Sequence, residues 1–319
     1  MSYDARSRLL LLCPGQGGQH ARMFDLARTS ASAAALLDGL SAAMPAAARG
    51  ALATEVPDTD GTDIYANSNA QPLIVAATLG VWEALREFAP QPALVAGYSI
   101  GELSAYGVAG AFTAATATGL ATGRAQLMDG CLSAHPGQAL LALSGLNLKK
   151  LEELATAHAF HVSIETGDDA CIAGGLAQTA QALESAVLAT GGRCTRLPVE
   201  VASHTLFMRD AVRPFAELLR QADFGPLTAP VLAGISATPI DDRQQAVEQL
   251  SRQMAEKIRW LACMDACAEA GITYALELGP GSALTKMLQA RHPHINTRSV
   301  ADFRTLDGIR KWLDRSNHD

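Results

Sequence analysis

Ala93-Leu94-Val95-Ala96-Gly97-Tyr98-Ser99-Ile100-Gly101-Glu102 is a short apolar run closed by a glycine, with a serine two residues on and a second glycine opening a segment of helical character. That order suits a strand that turns sharply into a helix while holding one hydroxyl clear of the backbone. Without side chains at Gly97 and Gly101, strand and helix can approach closely, and Ser99 can occupy a strained turn. A helix starting behind Ser99 offers unpaired backbone N–H groups and the positive end of its dipole to an oxyanion. Ser99 is therefore a candidate nucleophile.

Outward from this turn, strands and helices alternate. Residues 8–13 read as a first strand, followed by the loop Pro14-Gly15-Gln16-Gly17-Gly18-Gln19. Residues 27–53 are alanine-rich and read as helical, 71–88 as a long helix and 93–96 as the next strand. Such alternation predicts a mostly parallel sheet with helices on both faces, whose sites lie at the carboxyl ends of strands, where Gln16 and Ser99 both fall. The pattern then changes. Strands at 138–144, 161–164, 170–173 and 193–197, with helices at 148–158 and 177–189, give a βαββαβ order, the split βαβ or ferredoxin-like arrangement. This unit, 136–198, reads as a small subdomain inserted into a large domain made of 1–135 and 199–319. Beyond it the sequence predicts helices at 204–222, 243–254 and 263–270 and strands at 231–233 and 274–278.

Composition narrows the function class. Of 319 residues, 49% are hydrophobic and 18% charged, a globular rather than disordered balance. The net charge of −7, with no basic stripe, argues against a nucleic-acid binder. No apolar run approaches the roughly 18 residues of a membrane span. The apolar run Leu9 to Cys13 is too short for a signal peptide and ends at Pro14-Gly15. Six scattered cysteines show no C-x-x-C spacing. Cys263 and Cys267, four apart, read as two small core residues rather than metal ligands. A reduced, cytoplasmic protein without a metal is the expectation.

A serine nucleophile needs a base. Six of the eight histidines, His20, His135, His158, His292, His294 and His318, lie in polar, surface-like contexts, and His161 sits beside a strand of the inserted unit. His204 differs: it stands in Val201-Ala202-Ser203-His204-Thr205, where the chain re-enters the large domain. The carboxylates between Ser99 and His204 (Asp129, Glu152, Glu153, Glu165, Asp168, Asp169) have no strand-end setting for a triad acid. A backbone carbonyl or an amide side chain would orient the ring instead, making a Ser-His dyad. Arg124, on an otherwise apolar helix, is either a snorkelling surface residue or a fixed cation for an anion, and its fork can grip a carboxylate bidentately. The Pro14–Gln19 loop lacks the Lys-Ser/Thr of a phosphate loop and reads better as an oxyanion-hole loop.

Together these residues resemble malonyl-CoA:acyl carrier protein transacylases and the acyltransferase domains of fatty-acid and polyketide synthases, over nearly the whole chain. Pro14-Gly15-Gln16-Gly17 is similar to the family's P-G-Q-G loop, and Gly97-Tyr98-Ser99-Ile100-Gly101-Glu102 to its G-H-S-x-G-E elbow. Arg124 falls at the spacing of the family's malonyl-carboxylate arginine. Ser203-His204 matches the family's S-H, the segment from Gln253 to Trp260 its histidine-orienting glutamine, and Glu277-Leu278-Gly279-Pro280-Gly281 its E-x-G-P-x motif. The run from Gly97 to Gly110 is most similar to the transacylase (epsilon) subunit of malonate decarboxylase. Tyr98 departs from the usual histidine, Ala202 precedes Ser203-His204, and Glu165 to Asp169 stands where an Asn-x-Pro segment is common.

The resemblance implies a hydrolase-like α/β large domain with a ferredoxin-like insert, and ping-pong malonyl transfer. In that scheme Ser99 is the nucleophile and His204 its base. The N–H groups of Gln16 and Ile100 form the oxyanion hole, Arg124 binds the malonyl carboxylate and Gln253 orients the histidine. The expected partners are malonyl-CoA, an acyl carrier protein and other malonate decarboxylase subunits. No cofactor is expected, since malonyl-CoA and the carrier's prosthetic-group thiol are substrates. A fatty-acid or polyketide carrier is the alternative acceptor. A serine hydrolase or thioesterase would use the same Ser99 and His204, and a non-catalytic docking module would use neither. Carrier proteins are acidic, so Lys257, Arg259, Lys286 and Arg291 are candidates for a local basic patch.

Overall fold

Leu9 to Cys13 has no polar face, and a strand of that kind is stable only when covered on both sides. In the computed structural model, which describes residues 7–52 and 63–317, all five residues are buried in the middle of a sheet. The N-terminal hexapeptide, Ala53 at the end of the alanine-rich run, and His318 lie outside the described residues. The chain runs β1 (Leu9–Cys13), α1 (Asp25–Arg28), α2 (Ala31–Gly39), α3 (Asn67–Leu85), β2 (Leu94–Gly97), α4 (Ile100–Val108) and α5 (Ala114–Ala134). Next come β3 (Gln138–Ser144), α6 (Leu148–Ala157), β4 (Phe160–Gly167), β5 (Ala170–Leu176), α7 (Ala177–Ala189) and β6 (Arg193–Arg196). The remainder is α8 (Arg209–Gln221), β7 (Val231–Leu232), β8 (Pro239–Ile240), α9 (Arg243–Arg252), α10 (Trp260–Glu269), β9 (Tyr274–Glu277), α11 (Ala283–Arg291), β10 (Asn296–Ser299) and α12 (Leu306–Ser316).

The first sheet has the order β10-β9-β1-β2-β7-β8 and is parallel except for β8. Alternate residues face opposite sides. Leu9, Leu11, Cys13 and Val95 enter one core with side chains of α3, α4, α5 and α8. Leu10, Leu12, Leu94 and Ala96 enter another with Trp260, Met264 and Leu288. The parallel α/β layering expected from the sequence is thus present. β3 to β6 form a second, antiparallel sheet of order β4-β5-β3-β6, covered by α6 and α7 around their own core, in the expected βαββαβ connection. The second sheet touches the large domain just ahead of α10, where Glu165 N donates to Ile258 O and Ile258 N to Ser163 O, each at 2.9 Å.

Several boundaries differ from the sequence reading, each for a local reason. The helix expected at 204–222 starts only at Arg209, because His204 has φ +60° and Thr205 caps a short 3₁₀ turn, Leu206–Met208. α3 starts at Asn67 rather than 71 and carries Pro72 in its second turn. α10 begins at Trp260, three residues before the expected start. The alanine-rich stretch is helical only to Gly39 and continues as short 3₁₀ turns to Leu52. β10, absent from the sequence reading like α11 and α12, forms the parallel edge beside β9.

Candidate active site

β1 and β2 pair in register to Cys13↔Gly97, so both strands release their chains at the same end of the sheet. Beyond β2 the backbone turns at Tyr98 and Ser99 into α4. The turn is as tight as the sequence requires: a Cβ at Gly97 would lie 2.2 Å from Glu102 N, and one at Gly101 would lie 2.1 Å from Cys13 O. Ser99 itself has φ +56° and ψ −118°, a strained conformation that aims its hydroxyl away from strand and helix. Alongside, Pro14 to Gly17 leaves β1 and lies against this turn; a Cβ at Gly15 would be 2.8 Å from Tyr98 O. Tyr98 packs edge-on against Trp260, ring centroids 5.3 Å apart.

Ser99 Oγ is 2.7 Å from His204 Nε2. His204 is the one buried histidine among the described residues. Its Nδ1 lies 2.5 Å from the backbone oxygen of Gln253. A carbonyl only accepts, so Nδ1 carries the proton and Nε2 presents a lone pair to the serine hydroxyl. The His204 backbone is fixed by its own N–H to Met254 O, 2.9 Å. Burial, reinforced by the Arg124 cation, lowers the His204 pKa from 6.5 to about 3, while the Gln253 hydrogen bond works weakly the other way. The ring is therefore neutral at physiological pH. A neutral imidazole with its lone pair on a serine hydroxyl is able to accept that proton when the oxygen attacks an electrophile.

Gln16 lies in the loop that leaves β1, and Ile100 directly follows Ser99. Among the described residues neither the Gln16 nor the Ile100 N–H donates to a protein acceptor; Ile100 is the first residue of α4, where no intrahelical partner exists.

Arg124 is only 2% exposed, which settles the choice left open by the sequence in favour of a fixed, buried cation. Nη1 donates to Gln71 Oε1 at 2.7 Å and Nη2 to Gln253 Oε1 at 3.3 Å. Among the described residues no carboxylate forms an ion pair with it. Burial lowers its pKa to about 10, so it remains charged. Gln253 sits at the centre of this corner. Its backbone oxygen holds His204, its side-chain oxygen meets Arg124, and its Nε2 donates to Glu102 Oε2 (2.6 Å) and Ser99 O (3.3 Å). The ring is thus oriented by the main chain of Gln253, the first of the two options the sequence left.

Ser99, His204, Arg124, Gln253, Gln16 and Ile100 are all brought to one end of the parallel sheet. Sequence reasoning missed Asn67 and Gln71. Asn67 Oδ1 accepts from Gln16 Nε2 (3.2 Å) and Gln71 Nε2 (2.7 Å), and so ties the Gln16 loop to the Arg124 support. Amides at the head of a long helix, two of them one turn apart, ahead of an apolar run were the available signal. Glu277 serves a structural end: it is fully buried and accepts from Thr285 N (2.8 Å) and Thr285 Oγ1 (2.6 Å), capping α11. Of the candidate basic patch, Lys257 is paired with Glu165 (2.5 Å) and Arg291 with Asp168 and Asp265, whereas Arg259 and Lys286 are exposed and make no ion pair with a described residue. The segment from Glu165 to Asp169 therefore fastens the second sheet to the loop ahead of α10 and to the end of α11. Cys263 and Cys267 are both buried in the core.

Residues 10–302 match the family described as the acyl transferase domain. The chain belongs to that family. Its relatives include the malonyl CoA-acyl carrier protein transacylase of Bacillus subtilis strain 168, 25% identical over 98% of this chain and 99% of that protein. The enzyme of the same name from Synechocystis is 28% identical over 78% of this chain and 84% of its own length. Among solved structures, the malonyl CoA-acyl carrier protein transacylase of Coxiella burnetii superposes with a TM-score of 0.89 over 99% of this chain and all of that one, at 21% identity. As an acyl transferase domain, the chain is an acyltransferase, and the mixed fold agrees throughout its length.

Proposed function

We propose that this acyltransferase moves a malonyl group from malonyl-CoA to the thiol of an acyl carrier protein through an ester on Ser99. The observation that carries the reading is Arg124: a buried guanidinium without a paired carboxylate among the described residues, one amide away from the Ser99–His204 pair, is a place for an acyl group that brings its own carboxylate. In the first half-reaction Ser99 Oγ attacks the thioester carbonyl as His204 Nε2 takes its proton. The oxyanion meets the N–H groups of Gln16 and Ile100, and CoA leaves as its sulfur takes the proton from His204. In the second, the carrier thiol gives its proton to His204 and attacks the malonyl ester, and Ser99 Oγ recovers the proton. Burial of His204 beside a half-buried Ser99 supports transfer over hydrolysis, by limiting water at the ester.

For the acceptor we favour the carrier subunit of malonate decarboxylase, supported by the run from Gly97 to Gly110; a fatty-acid or polyketide carrier is the alternative. Six free thiols support a reducing, cytoplasmic setting. The division at 136–198 is supported by the separate core of that unit. Among the described residues no helix is long and apolar enough to cross a membrane.

Intact-mass spectrometry after brief incubation with malonyl-CoA tests the reading. The wild type should gain about 86 Da, Ser99→Ala nothing, and the adduct should discharge faster to a carrier thiol than to water. An adduct cleared by water at the same rate with or without the thiol would establish a hydrolase instead. Loading of one carrier subunit and not the others identifies the acceptor.

A further inference from the structure

One ionisable group in this corner has no part in the chemistry above. Glu102 lies in the first turn of α4 and is 0% exposed. Its Oε2 accepts from Gln253 Nε2 at 2.6 Å and from Gly234 N at 2.9 Å, while Oε1 has no hydrogen-bond partner among the described residues. Space for the carboxylate is made by a glycine: a Cβ at Gly234 would lie 2.9 Å from Glu102 Oε2. The far end of the Gln253 amide accepts from Arg124. A guanidinium only donates and a carboxylate only accepts, so an amide between them has one permitted orientation. Among the described residues no ion pair joins Arg124 and Glu102 directly; the amide stands between the charges.

A direct, bidentate pair would have used the fork of Arg124, and an incoming carboxylate would have had to displace it. Set one amide away, an anion still offsets a buried cation while leaving N–H donors of Arg124 open. It also repels a second carboxylate brought to the same cation. We propose that Glu102 is the offset counter-charge of Arg124, a positioning residue that holds Gln253 and sets how strongly the site prefers an acyl group carrying its own carboxylate. This rests on the malonyl-transfer reading above.

The ionisable groups around Glu102 are Arg124 on α5, Tyr106 on its own helix, Cys263 on α10 and, through Gln253, His204. Burial holds Tyr106 and Cys263 protonated well above neutral pH and His204 unprotonated. Burial also raises the Glu102 carboxyl to about 7, against the pull of Gly234, Gln253 and Arg124.

Glu102→Gln removes the charge and keeps an acceptor for Gln253. Single-turnover acylation of Ser99 is measured with malonyl-CoA and acetyl-CoA at pH 8. The expected result is a malonyl-to-acetyl ratio of kcat/KM raised about 3- to 10-fold, through a lower KM for malonyl-CoA with the acetyl-CoA KM unchanged. An unchanged ratio, including equal losses for both donors, would overturn the proposal and leave Glu102 a structural residue. A second measurement needs no substitution at 102. Calorimetry of both donors binding to Ser99→Ala at pH 7, in buffers of different ionisation enthalpy, should show more proton uptake with malonyl-CoA, because a new anion weakens Arg124's hold on ionised Glu102. Equal uptake refutes the idea. If wild-type enzyme forms no malonyl adduct, both this proposal and the function reading fall; if it does and the ratio and uptake stay equal, only this one falls.

Discussion

Arg124→Ala is the perturbation whose outcome follows most directly from the structure. It deletes the buried cation of the site and strands two acceptors, Gln71 Oε1 and Gln253 Oε1, that now receive its N–H groups. For a malonyl donor, losing a buried charge-assisted pair costs about 2–4 kcal/mol of transition-state binding. That converts to a kcat/KM about 30- to 800-fold lower. An acetyl donor has no carboxylate to lose. The same deletion also removes one cause of the low His204 pKa, so the base grows stronger and acetyl transfer should be equal or faster. Rapid-quench acylation followed by intact mass, with circular dichroism to confirm folding, reads both donors on one preparation. Equal losses for malonyl and acetyl would remove Arg124 from substrate binding and with it the main support for malonyl specificity.

Other outcomes are as definite. Gly101→Ala drives a Cβ into the backbone oxygen of Cys13 and should cost about 3 kcal/mol or more in urea unfolding while abolishing acylation; a wild-type midpoint would contradict the tightness of the elbow. His204 is neutral when folded and protonates below pH 6.5 when unfolded, so its contribution to stability, full above pH 6.5, is lost as pH falls toward 3. Between pH 7 and pH 4 the wild type should therefore lose about 3 kcal/mol more than His204→Gln. Charge reversal at Arg259 and Lys286 should raise the KM for an acidic carrier several-fold and leave that for malonyl-CoA unchanged. Reversal at Lys257 or Arg291 should instead lower thermal stability, because both are spent on ion pairs from the second sheet.

The elbow was readable because Gly97 and Gly101 bracket the serine at short, fixed spacing behind an apolar run, which local sequence records, even though the backbone that forces Gly101 is the remote pair Cys13 and Pro14. The inserted unit was readable for a related reason: β3 and α7 are bounded by their own turn and polar residues, and both fall on the expected residues. The polar network behind the dyad was less so. Gln71 meets Arg124 across a sequence gap of 53 residues and Gln253 meets Glu102 across 151, and nothing in the neighbourhood of either residue announces its partner. β10 was missed because Asn296-Thr297-Arg298-Ser299 is a polar edge strand without apolar alternation. The start of α3 was missed because Pro72 suggests a first turn, whereas here it sits one turn further in.

β3 and β6 are antiparallel neighbours, with Leu141 opposite Arg196, so the chain leaves the inserted unit beside the point where it entered. Ala202 N binding Gln138 Oε1 at 2.8 Å closes that detour. Ser99 and His204 are 105 residues apart along the chain, yet once the unit has folded on itself the flexible length between them is roughly halved. Each halving reduces the closure entropy by only about 0.6 kcal/mol, so the unit can lengthen, shorten or change its outer surface with little effect on the meeting of serine and histidine.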